Sequence, residues 1–215
     1  MNKLAIGIFG GTFDPFHNGH LQLLRSVLNS RLTDRIFLMP NYIPPHKPQP
    51  VANDQQRLAM INLVCKHENQ IYPLDYEIKK KSVSYTYETI SELQNNPQFL
   101  NCSFSLLIGM DSLINFLSWF KAEELLNSVN LIVARRPHYT PDRMDRKLLA
   151  RMTDVSDFNK QATGQIVMID NQEIDISSSE IRSRRYNDLK KIVPDYINEY
   201  INKQNIYNKE VAKQK

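Results

Sequence analysis

GIFGGTFDPFHNGHLQLL, Gly7 to Leu24, decides how the rest of the chain is read. It overlaps the apolar run LAIGIF (Leu4–Phe9) and crowds glycines, Pro15 and two histidines into the gap before the helix-spaced Leu21, Leu24, Val27 and Leu28. A strand-length run, a glycine turn and a helix start, in that order, open a βα unit. At Gly10, Gly11 and Thr12 the backbone is free to turn sharply and offer bare N–H groups to an anion. Asp14 and Pro15 then make a turn, with Asp14 read as a turn-forming side chain. His17 and His20 stand three apart on one face of the first helical turn, where the macrodipole and exposed N–H groups favour negative charge. Two imidazole donors there suit a phosphoryl group that gains charge in a transition state, and Gly19 lets a nucleotide approach the helix backbone closely. An isolated H-x-x-H is more simply a pair of surface histidines; the coincidence of strand, glycine turn and helix start favours a phosphate site. Zinc does not fit, because the spacing is three rather than four and no third ligand is suggested. The glycines also depart from the G-x-G-x-x-G dinucleotide fingerprint.

Outward from this unit, strand-length apolar runs recur at RIFLMP (Arg35–Pro40), FSLLIG (Phe104–Gly109), LIVAR (Leu131–Arg135) and QIVMID (Gln165–Asp170). Each is followed by polar or helix-spaced sequence, which predicts an α/β fold: a Rossmann-like doubly wound parallel sheet with helices on both faces. Leu58, Ile61, Val64 and Cys65 mark a second sheet-packed helix after NDQQR, and Tyr87, Ile90 and Leu93 a third from Thr86. Pro137–Gln165 shows no clean strand and reads as a variable excursion with some helix, away from function. In DISSSEIRSRR, Ser177 and Glu180 form a capping box that starts a helix. Pro194 opens another, burying Tyr196, Ile197, Tyr200 and Ile201, and a frayed tail follows from about residue 205 to 215. Without repeats or low-complexity linkers, residues 1–215 read as a single domain.

The chain has 215 residues, 41% of them hydrophobic, enough for one well-filled core. Its net charge of +4 suits phosphate-rich small molecules, nucleic acid or a lysine-rich tail, and selects none of them. Cys65 and Cys102 form no C-x-x-C pair, which points away from a disulfide framework or zinc site and toward a reducing cytosol. MNKLAIGIFGG is too short before its glycines for a signal peptide or membrane span, so a cytoplasmic protein without a membrane partner is expected. Basic residues interleaved with aromatic ones along a strand are not found, which disfavours nucleic acid as a partner. Homo-oligomerisation is left open.

GGTFDPFHNGH resembles the first signature of the H-x-G-H nucleotidyltransferase superfamily, and ISSSEIR (Ile176–Arg182) resembles its second, I-S-S-T-x-I-R. Between them PNYIPPHK (Pro40–Lys47), SYT (Ser84–Thr86), IGMDSL (Ile108–Leu113), SWF (Ser118–Phe120) and LIVARRP (Leu131–Pro137) are similar, in order, to the bacterial nicotinate-nucleotide adenylyltransferases. Two departures are Ser179, where the second signature usually has Thr, and Phe120, where Tyr is frequent. The resemblance implies adenylyl transfer from ATP to nicotinate mononucleotide, giving deamido-NAD and pyrophosphate. Such a reaction needs in-line alignment of two polyanions and donors for the charge on the α-phosphate, not a protein nucleophile.

By this resemblance His17, His20 and Arg182 are the catalytic residues. Gly10, Gly11, Thr12, Phe13 and Gly19 line the ATP path, with Ile108, Gly109, Ile176, Ser177 and Ser179. Arg182 and the serine hydroxyls take the β- and γ-phosphates, although a surface helix charge explains Arg182 equally well without the family. Lys47 meets phosphate beside His46, its entry angle fixed by Pro44 and Pro45. Asp111, at the carboxyl end of a strand, accepts ribose hydroxyls, caps the next helix, or does both. Trp119 stacks on the pyridine or is a core aromatic. Thr86 and the backbone around Trp119 and Phe120 are the candidate donors for the nicotinate carboxylate, and Asn41, Tyr85 and Arg136 complete the mononucleotide side with Ser84, Arg136 on its phosphate. Mg²⁺ is expected with ATP, because pyrophosphate is a poor leaving group until its charge is neutralised. No carboxylate cluster is present and Mg²⁺ often binds through substrate phosphates and water, so no protein ligand is assigned to it. Two other readings stay open: the same fold acting on nicotinamide mononucleotide or phosphopantetheine, and a nucleotide-binding regulator without turnover.

Overall fold

The computed structural model describes residues 3–42, 49–135, 144–169, 178–183, 189–190 and 192–207, with backbone only at 179, 180 and 183. Among them seven strands form one sheet: β1 (Leu4–Gly11), β2 (Arg35–Pro40), β3 (Ile71–Pro73), β4 (Cys102–Gly109), β5 (Asn130–Ala134), β6 (Met152–Thr153) and β7 (Ile166–Ile169). Their order is β3-β2-β1-β4-β5-β7-β6 and every pairing is parallel. The chain winds outward from β1 to β3, then returns to pair β4 with the other side of β1. The winding therefore reverses between β1 and β4, and all strands end at the same edge.

Strand composition follows from burial on both faces, which calls for near-continuous apolar sequence. Along β2, Ile36 and Leu38 enter one core while Phe37 and Met39 enter the other. The first core receives the buried faces of α1 (Asn18–Asn29), α2 (Asp54–His67) and α9 (Asp195–Lys203). The second receives α4 (Thr86–Gln94), α5 (Met110–Ile114), α6 (Ala122–Ser128) and Leu148 of α7 (Arg146–Leu149). The short helices α3 (Tyr76–Lys80) and α8 (Ser178–Ser183) complete the set. Helices thus cover both faces, as the doubly wound reading requires.

Several expectations need correction. The stretch from residue 137 to 165 includes α7 and the edge strand β6, and its Met144 and Leu148 are buried in the second core. In α2 the buried face is Arg57, Met60, Ile61 and Val64, with Leu58 only half-buried. Pro194 is the N-cap of α9 rather than its first helical residue. A frayed tail from about residue 205 fails for Ile206 and Tyr207: Ile206 is buried, and Tyr207 packs on the same core. The Ser177–Glu180 capping box lies outside the described side chains.

Candidate active site

Gly10 and Gly11 do not turn the chain. They stay in β1, paired with Met39 and Pro40 of β2, and the left-handed residue is Phe13, at φ 50°. What Gly11 provides is room, since a Cβ there would meet the Phe13 ring at 3.0 Å. The Phe13 ring is itself buried against Phe9 and Phe16, so toward a ligand Phe13 has only backbone to offer. Ile108 is likewise buried at the end of β4.

Beyond this corner His17 is the N-cap of α1 and His20 its third helical residue. The His20 N–H donates to His17 Nδ1 (3.4 Å) and the His17 N–H to His20 Nδ1 (3.2 Å). This is a capping box in which both side chains are imidazoles, and the rings stack with centroids 3.5 Å apart. Because each Nδ1 accepts, the proton of each neutral ring sits on Nε2, which makes Nε2 the donor. Phe9, Phe13 and Phe16 surround the His20 ring at 5.6, 5.3 and 5.2 Å. His17 is only 4% exposed, whereas His20 and Gly19 are half-buried at the edge. The Asn18 N–H donates to the Ile192 carbonyl (2.8 Å). Of the N–H groups at the start of α1, Gly19's is therefore the one without a protein acceptor among the described residues.

Asp14 and Pro15 do turn the chain, but the Asp14 side chain bonds outside that turn. It is 1% exposed and its carboxylate accepts from the N–H groups of Val51 (2.9 Å) and Ala52 (3.0 Å) and from the Tyr207 hydroxyl (2.6 Å). Arg182, in the last turn of α8, donates from Nη1 to the Asp14 carbonyl (2.7 Å), with the Asp14 carboxylate 3.7 Å away. The Ser178 hydroxyl donates to the Pro15 carbonyl (3.2 Å). The two sequence signatures, more than 160 positions apart, are thereby joined at one turn.

Arg57 supports the same corner from below. Fully buried, it donates to the carbonyls of Thr12 (3.0 Å), Asn41 (2.6 Å) and Tyr42 (3.0 Å) and pairs with Asp54 (2.6 Å). One guanidinium thus ties the loop after β1 to the end of β2. The Asn41 N–H donates to the Gly11 carbonyl (3.0 Å), and its buried side-chain oxygen has no hydrogen-bond partner among the described residues. Sequence reasoning missed Arg57, Ser178 and Tyr207. The H-x-x-H spacing matches the N-cap to N3 offset of a capping box, but imidazoles are unusual in that role, so the spacing alone did not reveal it.

Gly109 caps α5, so Asp111 lies inside its first turn and is not the cap. Trp119 follows a short 3-10 turn (Phe116–Ser118), half-buried against Phe116 at 5.1 Å. Tyr85 and Phe120 do meet: both are exposed, at 45% and 43%, with ring centroids 4.8 Å apart. Thr86 is the first residue of α4, whose N-cap Tyr85 makes no side-chain cap bond, and the Ser84 hydroxyl donates to the Ser82 carbonyl (3.3 Å). His46, Lys47, Arg136, Ile176 and Ser177 lie outside the described residues, as does the side chain of Ser179. Among the described residues no three His, Cys, Asp or Glu side chains gather to hold a metal ion, and no helix is long and apolar enough to cross a membrane.

Residues 8–184 match the family described as cytidylyltransferase-like. A probable nicotinate-nucleotide adenylyltransferase of Serratia proteamaculans is 35% identical over 208 residues, 93% of this chain and 94% of its own. A nicotinate-nucleotide adenylyltransferase of Escherichia coli O6:H1 is 34% identical over 213 residues, 95% of this chain and 99% of its own. Among solved structures, the nicotinic acid mononucleotide adenylyltransferase of Plasmodium falciparum complexed with NaAD superposes with a TM-score of 0.75 at 23% identity, covering 95% of this chain and 97% of its own. That likeness bears out the Rossmann-like fold.

Proposed function

The chain belongs to the cytidylyltransferase-like family, and from that footing we propose that it transfers the adenylyl group of ATP to nicotinate mononucleotide, forming deamido-NAD and pyrophosphate. The observation that carries the reading is the junction of Arg182 and Ser178 with the Asp14–His17 turn, at the strand edge where the winding of the sheet reverses. A phosphate oxygen of nicotinate mononucleotide attacks the α-phosphorus of ATP. The new P–O bond forms as the bond to the β-phosphate breaks, and pyrophosphate carries away the electron pair. No side chain becomes covalently attached.

In this reading the His20 Nε2–H and the Gly19 N–H meet the α-phosphate, where charge develops. His17 orients His20 through the capping box, and Arg182 faces the phosphates beyond. Exposed Gly10 and half-buried Thr12 leave backbone open to the nucleotide. Asp111, after Gly109, takes ribose hydroxyls. Tyr85, Phe120 and Trp119 form the aromatic side of the pyridine pocket, with the uncapped start of α4 at Thr86 toward its carboxylate and Asn41 as an acceptor for the mononucleotide. His46, Lys47, Ser84, Arg136, Ile176, Ser177 and Ser179 keep the roles that the family resemblance implies. Mg²⁺ carried in with ATP would neutralise the leaving pyrophosphate, and in this reading it would be held through the phosphates and water, with no residue of this chain assigned to it. We assign the reaction to the cytoplasm, where the thiols of Cys65 and Cys102 stay reduced.

An acceptor competition tests this. The protein is given ATP and Mg²⁺ with nicotinate mononucleotide, nicotinamide mononucleotide and phosphopantetheine together, and products are identified by mass. Predominant deamido-NAD is the expected result. A different dominant product overturns the pyridine-pocket assignments, and no product from any acceptor overturns catalysis itself.

A further inference from the structure

We infer that Tyr207 is a positioning residue for the reaction: by donating its hydroxyl to Asp14 it holds the turn that presents His17 and His20 to the reacting phosphate. The inference rests on the function proposed above. Tyr207 lies 193 positions from Asp14, yet their oxygens are 2.6 Å apart, the short distance of a charge-assisted bond. Asp14 Oδ1 receives the Ala52 N–H and Tyr207 hydroxyl, and Oδ2 the Val51 N–H. This buried carboxylate is thus divided among three donors, with Arg182 at 3.7 Å as the nearby cation.

The chain keeps Tyr207 there against its own backbone preference. Asn205 and Tyr207 have φ of 52° and 66°, the left-handed region, which Asn tolerates but the Tyr207 side chain disfavours. Buried Ile206 between them anchors the segment in the first core. Burial and the neighbouring Asp14 charge push the phenol far above the usual tyrosine range, so it remains a donor throughout the working pH range. Without it, Asp14 Oδ1 loses its shortest bond. The carboxylate is then drawn toward Arg182, whose Nη1 holds the carbonyl of the same residue, and the turn three residues before His17 shifts.

The test compares Tyr207→Phe, which keeps the ring and removes only the hydroxyl, with Tyr200→Phe. Tyr200 is a half-buried tyrosine of α9 and serves as a control for losing any phenol from this segment. Rates are measured per folded molecule. Tyr207→Phe is expected to lower kcat about tenfold or more while KM for ATP and nicotinate mononucleotide stays within about twofold, because a misplaced donor acts on the transition state. Tyr200→Phe is expected to leave both unchanged. In ¹⁵N-labelled protein the ring signals of His17 and His20 are expected to move in Tyr207→Phe alone. Unmoved imidazole signals, or a kcat per folded molecule equal to that of the control, overturn the inference. The imidazole spectrum needs no turnover. If the unaltered protein adenylates no acceptor, the proposed function falls and the spectrum by itself decides the role of Tyr207.

Discussion

His20 is held by three phenylalanine rings, a stacked imidazole and a backbone N–H on its Nδ1, so its Nε2–H has little freedom to reorient. Preorganisation of that kind favours the charge of the transition state over that of the bound nucleotide. His20→Ala is therefore expected to reduce kcat by about 10²–10³ with little change in the KM for ATP. A rise in KM at unchanged kcat would assign the ring to ground-state binding. Glu77 is a different case, a carboxyl whose main partner is the Thr89 hydroxyl, which donates to it at 3.0 Å. Burial raises its pKa above the ordinary 4.5, so folding favours its protonated form, and the stability this brings is present below 4.5 and lost as pH rises through the folded value. Glu77→Gln should accordingly raise the thermal midpoint at neutral pH and have no such advantage below pH 4.5, as calorimetry at the two pH values will show. At this scale the sequence revealed residue types better than roles. Two histidines at spacing three were visible as a pair, but their mutual capping was not, because it depends on χ angles and on a helix start one residue away. Asp14 beside Pro15 looked local, and nothing within reach in the sequence hinted that its partners are Val51, Ala52 and Tyr207.

Among the elements, the long buried strands were legible because burial on both faces leaves nothing but apolar sequence. β2 runs over the same six residues as its apolar run, while β3 and β6, of three and two residues, are too short to show a period. The α2 face was misread by one position because an arginine occupies a core site, where pattern reasoning expects Leu58. Arg57 earns that place through three backbone carbonyls and Asp54. Arg57→Met fills similar volume but orphans those acceptors, so a loss of about 3 kcal/mol is expected, read as a lower urea midpoint at unchanged slope. Since two of the carbonyls belong to Asn41 and Tyr42, the end of β2 should loosen along with Thr12. A substitution on the exposed side of α2, such as Gln55→Ala, provides the comparison and should cost well under 1 kcal/mol.

For the whole molecule, the reversal of winding between β1 and β4 puts the proposed reactive corner over the most central strands rather than at an edge. Hydrogen exchange should find the slowest amides in β1, β4 and β5, each paired on both sides, and the fastest strand amides in the two-residue edge strand β6. Fast exchange in β1 would mean that the corner is far less rigid than its packing implies. This architecture was readable from the alternation of runs. The closure of its site by the far end of the chain was not, since pairings such as Asn18 with Ile192 leave no periodic trace. That closure sets an order of events during synthesis. The reversal is complete once β4 has paired with β1, and the sheet has all its strands once β7 is made, well before Ile192 and Tyr207 leave the ribosome. A nascent chain at that stage has the strands of its sheet but neither the acceptor for the Asn18 N–H nor the phenol for Asp14, so the turn before His17 is held only once both have emerged.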